Sequence, residues 1–237
     1  SFRMNFENKT VLVTGAAGNL GQAVAAAFAA QGARLVLLGR SVESLQAAFG
    51  EAGDQRLYVA ADLLHGPQVA AALAAAVQRF GRIDVLCNLA GGFRMGDAVH
   101  ETADSTWDFL MDINARTLLN MAKSVVPHLL AHGGGKIVNV GAFGAQRGAA
   151  KMGAYCAAKS SVIRLTEAMA AELREKNINV NCVLPTVIDT PENRAAMPDA
   201  DPSRWVAPAD LANVVVFLAS DAARAVHGAA LPVTGLS

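Results

Sequence analysis

Cysteine is scarce: Cys87, Cys156 and Cys182 are the three in 237 residues. No pair has CxxC spacing, and an odd count argues against a disulfide framework. The thiols therefore read as small buried hydrophobes, and the compartment as the cytoplasm. An excess of either charge is missing too, since 20 Lys and Arg balance 20 Asp and Glu. There is no basic stripe for nucleic acid and no acidic tail to stay disordered. The five histidines form no HExxH or comparable cluster, so no metal site is expected. No run of about 18 apolar residues marks a membrane span, and nothing reads as a signal peptide. Ser1 to Met4 are set aside as extraneous to the fold. Linkers, low-complexity segments and repeats are also lacking, which leaves one domain over residues 1–237.

What the chain has is apolar material, at 53% of residues against 17% charged. It comes as short continuous runs: 9–13, 33–38, 57–61, 83–87, 136–140, 178–184 and 230–233. Such runs suit parallel strands covered on both faces. Between them lie helical patterns at 22–31, 68–80, 104–130, 152–176 and 208–220, with Pro127 tightening the end of the third. This alternation predicts one α/β domain: a doubly wound, Rossmann-type parallel sheet of about seven strands, with helices on both faces. Two stretches, 93–104 and 186–207, have no clear period and follow the carboxyl ends of strands, where ligands bind in such sheets. They are ordinary surface loops or, as position favours, parts of a substrate lid, with 186–207 the main candidate.

Thr14-Gly15-Ala16-Ala17-Gly18-Asn19-Leu20-Gly21 joins the first strand to the first helix. Glycine there allows a tight turn close to a pyrophosphate, and the helix N-terminus offers free N–H groups. Alone, a glycine-rich turn is a weak signal, but the strand before it and the helix after it strengthen this one. The second strand ends in Gly39-Arg40, where an acid would favour NAD(H). Arg40 pairs with a 2′-phosphate on this reading, so NADP(H) is favoured and NAD(H) remains possible; otherwise Arg40 is a solvated loop residue. Asp62 either accepts from an adenine amino group or caps the next turn. Asn88-Leu89-Ala90-Gly91 follows the fourth strand and packs toward the adenosine side.

Tyr155 and Lys159 are four residues apart and share a helix face. An ammonium within about 4–6 Å lowers a phenol's pKa by about 1–3 units, which would make Tyr155 a general acid or base near neutral pH. The same spacing is common in surface pairs. Two facts weigh against that here: the chain has only two tyrosines, and this one follows the fifth strand, beside the expected crevice.

Together these residues resemble the short-chain dehydrogenase/reductase family over nearly the whole chain. The resemblance also takes in Asn114, Pro185, Thr190 and the run Phe217 to Asp221 before Gly228. It implies that Tyr155 exchanges the proton, Lys159 binds ribose and tunes Tyr155, and Asn114 holds a water in a proton relay. The implied cofactor-binding set is Gly15, Gly18, Asn19, Leu20, Gly21, Arg40, Asp62, Leu63, Asn88, Ala90, Gly91, Tyr155, Lys159, Pro185, Val187 and Thr190. A small-molecule substrate and a homo-oligomer, tetramer or dimer, are implied as well.

The chain departs from the family pattern at three places. The middle glycine comes one residue early, at Gly18, with Asn19 in its usual place. Thr186 replaces the glycine after Pro185. Ala142 stands thirteen residues before Tyr155, where the family has the serine that donates to the substrate oxygen. Losing one such donor costs about 10²–10³ in rate. The expected activity is hydride transfer between nicotinamide and a small carbonyl or alcohol, with a lid side chain such as Gln146 replacing the hydroxyl. The alternatives are a quinonoid pterin reductase, since the dihydropteridine reductase branch is similar at Ala142 and over 184–205, and a catalytically weak nucleotide-binding protein.

Overall fold

The structure is a computed structural model describing residues 5–237; Ser1 to Met4 lie outside the described residues. Seven strands form one parallel sheet: β1 (Thr10–Val13), β2 (Arg34–Gly39), β3 (Arg56–Ala60), β4 (Val85–Asn88), β5 (Gly135–Val140), β6 (Ile178–Pro185) and β7 (Ala230–Val233). Their order is β3-β2-β1-β4-β5-β6-β7, so the chain reverses direction across the sheet between β1 and β4. That switch point opens a crevice at the carboxyl ends of the two strands.

Period-two alternation assigns each strand's side chains to opposite faces. On β1, Val11 and Val13 pack into one core with Val24 and Phe28 of α1 (Asn19–Ala30) and Leu211 and Val215 of α8 (Pro208–Leu218). Leu12 between them packs into the other, with Met121, Val125 and Leu129 of α5 (Thr117–Ala131) and Val69, Ala72 and Ala76 of α3 (Gly66–Phe80). Phe28 is fully buried and meets Phe6 edge-on, with ring centroids 5.0 Å apart.

Helix boundaries carry the expected local chemistry. Gly18 is the extended N-cap of α1. Pro67 and Pro208 sit in the first turns of α3 and α8, where a missing N–H costs nothing. α2 (Val42–Phe49) was not anticipated from sequence. It has eight residues and a single buried side chain, Leu45, so its apolar period is faint; its clearest signal is local, Ser41 accepting from the Ser44 N–H at 3.1 Å.

The long helix expected over 104–130 is interrupted. α4 (Asp104–Met111) and α5 are joined by a π turn at Asp112–Arg116. Pro127 lies inside α5 near its end, and the helix closes at Ala131, one residue past the expected boundary. α6 (Gly153–Leu173) then brings Tyr155 and Lys159 beside β5 and β6. Of the two aperiodic stretches, 93–104 contains a 3₁₀ turn at Val99–Glu101, and 186–207 contains α7 (Pro191–Ala196) and a 3₁₀ turn at Pro202–Arg204. The second stretch is pinched at its base, where Asp189 N–H donates to Val206 O and Val206 N–H to Val187 O, both at 2.8 Å.

Candidate active site

The crevice at the switch point has a volume of about 1090 Å³. Its floor is the loop after β1. Gly15 has φ +60, and a Cβ there would lie 3.1 Å from Ala90 N. A Cβ on Gly21 would run into the carbonyls of Gly15 and Ala16. Both positions thus exclude side chains where the turn must be tight. The Thr14 hydroxyl accepts from Leu89 N–H at 3.0 Å and Ala90 N–H at 3.1 Å, tying the end of β1 to the loop after β4. Sequence reasoning gave Thr14 no role; a hydroxyl ending a buried strand is the signal that could have found it.

About half of the residues assigned to the cofactor from sequence meet in one place. Gly15, Gly18, Gly39, Arg40, Asp62, Leu63, Ala90 and Gly91 all line the crevice. Arg40 is exposed there beside Ser41 and Ser44, with no carboxylate within ion-pair range among the described residues. Asp62 caps the next turn through Oδ1, which accepts from Leu64 N–H at 2.9 Å, and still lines the crevice. Leu20 packs against the core rather than the crevice. Asn19 lies at the α1 N-terminus and donates to Glu192 of α7 at 2.9 Å. Pro185 ends β6, and the Val187 carbonyl belongs to the pinch at the base of the lid. Thr190 is the N-cap of α7, its hydroxyl accepting from Asn193 N–H at 3.1 Å.

At the other end of the crevice, a Cβ added to Gly91 would lie 3.0 Å from Asn114 Oδ1 and 3.2 Å from Lys159 Nζ. Backbone, amide and amine therefore converge at Gly91. The π turn aims Asn114 inward, and its amide is committed to backbone: Gly92 N–H donates to Oδ1 at 3.1 Å, while Nδ2 donates to the carbonyls of Gly92 and Leu110, both at 3.0 Å. Both its N–H groups are spent on this clamp, a structural role that the sequence did not suggest.

The electrostatic expectation for Tyr155 needs correcting. Burial pushes the phenol up to about 12, with Cys156 adding to the rise. Burial pushes Lys159 down to about 8, opposed by Cys182. Lys159 Nζ donates to the Val140 carbonyl at 3.1 Å, and desolvation outweighs any help from the ammonium. The Tyr155 ring is held edge-on by Phe93, with centroids 4.8 Å apart at 83°. Ala142 is buried beside this region, and Gln146 does not replace its missing hydroxyl: the Gln146 amide turns back onto the Phe143 carbonyl at 3.1 Å.

A polar chain unforeseen in the sequence runs beneath the site. Asn88 Nδ2 donates to Asn139 at 2.8 Å, Asn139 to Thr166 at 2.9 Å, and Thr166 to the Val162 carbonyl at 2.8 Å. Asn88 Oδ1 is buried with no partner. The side-chain-free cradle at Gly15 and Gly21, at the N-terminus of α1, fits the close approach of a dinucleotide's pyrophosphate.

The family described as short chain dehydrogenase matches residues 9–201. The chain belongs to the short-chain dehydrogenase/reductase family. D-threitol dehydrogenase of Mycolicibacterium smegmatis is 34% identical over 99% of this chain and 94% of its own length. A short-chain type dehydrogenase/reductase from Mycobacterium ulcerans superposes with a TM-score of 0.91 at 28% identity, over 98% of this chain and 90% of that one. Carveol dehydrogenase from Mycobacterium avium, solved in complex with NAD, gives 0.89 at 29% identity, over 98% of each chain. As a member of this family, the chain is a pyridine-nucleotide-dependent oxidoreductase acting on a small molecule. No helix among the described residues is long and apolar enough to cross a membrane, and no group of three or more His, Cys, Asp or Glu gathers to hold a metal ion. Cys87, Cys156 and Cys182 are free and buried, as read from sequence.

Proposed function

We propose that the chain interconverts a ketone and a secondary alcohol with NADP(H) in preference to NAD(H), Tyr155 exchanging the proton. One observation carries this reading: the end of the 1090 Å³ crevice at Gly91 coincides with Lys159, one helical turn from Tyr155. Gly15, Gly21 and the α1 N-terminus would hold the pyrophosphate. Arg40 and Ser41 would meet the 2′-phosphate, Asp62 the adenosine and Lys159 the ribose. When bound, the nicotinamide supplies or takes the hydride.

The chain's own residues then manage the proton. A phenol near 12 is fully protonated at neutral pH, which suits Tyr155 to donating toward a forming alkoxide in reduction. Lys159, near 8, is mostly charged at pH 7 and stabilises the phenolate left behind. Phe93 packs edge-on against the Tyr155 ring. With no hydroxyl at Ala142, the substrate oxygen depends on Tyr155 alone for donation from this face. That places the chain at the slow end for simple ketones.

Trp107, Leu119 and Leu130, exposed along α4 and α5, support the homo-oligomer, dimer or tetramer, as part of the same reading. Ala142 favours one second substrate class, a quinonoid dihydropterin, which is reduced on a conjugated ring and needs no serine at a carbonyl oxygen. The test is nicotinamide absorbance against a panel of ketones, secondary alcohols and quinonoid dihydropterin. Turnover is expected on one class, and Tyr155→Phe should lower kcat by about 10²–10⁴ with little change in cofactor affinity. An unchanged kcat in that variant would remove Tyr155 from the chemistry.

A further inference from the structure

A second cavity, of about 220 Å³, lies against Tyr155 on the side of the loop after β4. Its walls carry two cations, Arg94 and Lys151, and one acid, Asp97, with Thr102 and Thr106 beside them. Neither cation has a carboxylate within ion-pair range among the described residues, and Asp97 takes part in no ion pair. The Arg94 guanidinium lies 3.7 Å over the centre of the Phe109 ring. That stacking holds the plane of the fork and leaves its edge N–H groups free to donate.

Lys151 adds an independent observation. It has φ +64, a left-handed conformation that glycine adopts without strain and lysine does not. Its carbonyl accepts from Gly96 N–H at 2.9 Å, so the same residue ties the start of α6 to the loop that carries Arg94. A lysine in this strained conformation, lining the cavity, points to a use for its side chain. Thr102 is spent on the Ala98 carbonyl at 3.0 Å, which leaves Thr106 and Asp97 as the neutral and acidic partners.

We propose that this cavity binds the anionic end of the substrate, and that the substrate is a hydroxylated carboxylic acid. Its carboxylate sits between Arg94 and Lys151, and Asp97 accepts from its hydroxyl groups. The two cations outnumber the one acid, so the cavity favours a monoanion over a neutral polyol of the same size. Asp97 rejects a second negative charge at the hydroxyl end. The inference rests on the oxidoreductase reading of Tyr155, because it names the substrate class of that site.

The test measures binding without turnover. D-gluconate and D-glucitol, a monoanionic and a neutral polyol of equal carbon count, are titrated calorimetrically into the cofactor-free chain. Gluconate should bind about tenfold or more tightly than glucitol, and less so as salt is raised. Lys151→Gly, which keeps the left-handed turn unstrained, and Arg94→Met, which keeps apolar contact with Phe109, should each reduce the gluconate-to-glucitol preference several-fold. Equal affinities, undetectable binding of both probes, or a preference indifferent to both substitutions overturns the proposal. A separate titration with NADPH and NADH distinguishes the two readings. Loss of nucleotide binding would sink the oxidoreductase reading while leaving the anion result intact, and the reverse outcome would sink only the anion site.

Discussion

Arg40 is the residue on which cofactor choice turns. It directly follows β2 at the rim of the crevice, exposed, with Ser41 and Ser44 beside it and no carboxylate to neutralise it among the described residues. A charge-assisted hydrogen bond to a phosphate is worth about 1.5–3 kcal/mol, which is tenfold or more in affinity. Arg40→Asp should therefore weaken NADPH by about tenfold and strengthen NADH, since aspartate accepts from the free ribose hydroxyls. Fluorescence titration of both nucleotides reads the ratio; if it does not move, Arg40 does not read the 2′-phosphate. Position made this residue legible in the sequence, as it did Gly15, Gly21, Tyr155 and Lys159, because strand ends and i,i+4 spacing survive translation from letters to space. What the letters withheld was the medium around each side chain. The spacing of Tyr155 and Lys159 is silent on burial, and burial reverses the direction expected for the phenol. Nor does a sequence show that Gln146 turns back on its own loop, or that Asn88 reaches α6 through Asn139.

Among the elements, the π turn between α4 and α5 matters most to the site. It lifts Asn114 out of the regular helical register and aims it at Gly92, whose N–H and carbonyl it takes at 3.1 and 3.0 Å. Phe93 follows directly, so the clamp also sets the ring that packs on Tyr155. Asn114→Leu would leave Gly92 N–H and two carbonyls without partners, at about 1–3 kcal/mol. For a chain of this size that is a fall in Tm of several degrees, at roughly 2–4 °C per kcal/mol. Tm and turnover should fall together. A role limited to holding a catalytic water would lower turnover and leave Tm where it is, and calorimetry beside steady-state kinetics separates the two. The strands were legible as apolar runs because parallel strands buried on both faces have no polar side to hide them. The π turn was not, since one added residue per turn leaves the apolar period over 104–130 nearly intact. α2 was missed for the opposite reason: with only Leu45 buried, it has almost no apolar period to read.

The dryness that surrounds the reactive pair extends through the sheet and governs how the whole molecule responds to alkali. Three acids are held protonated by burial: Cys87, raised well above its ordinary 9.0; Cys182, pushed up to about 11 by burial despite a hydrogen bond to Thr166; and Tyr155, at about 12. Each contributes stability that is complete below its unfolded value and lost as pH rises through the folded one. The windows open near 9.0 for the thiols and 10.0 for the phenol. Lys159 acts with the opposite sign. Lowered from 10.5 to about 8, it is neutral in the fold while still charged in the unfolded chain, so it adds stability as pH rises from about 8 to 10.5. Three losses against one gain predict a stability that holds to about pH 9 and then declines. Cys87→Ala isolates one share of that decline, because the thiol lies fully buried in β4 between β1 and β5. The substitution should lower Tm modestly at pH 7.5, through lost packing, and flatten the fall in Tm between about pH 8.5 and 10.5 relative to the parent chain. Parallel slopes would mean that the buried thiol does not carry the alkaline loss. The decline would then belong to Tyr155 and Cys182 beside the site, tying the pH tolerance of the fold to the same desolvation that keeps the phenol protonated for catalysis.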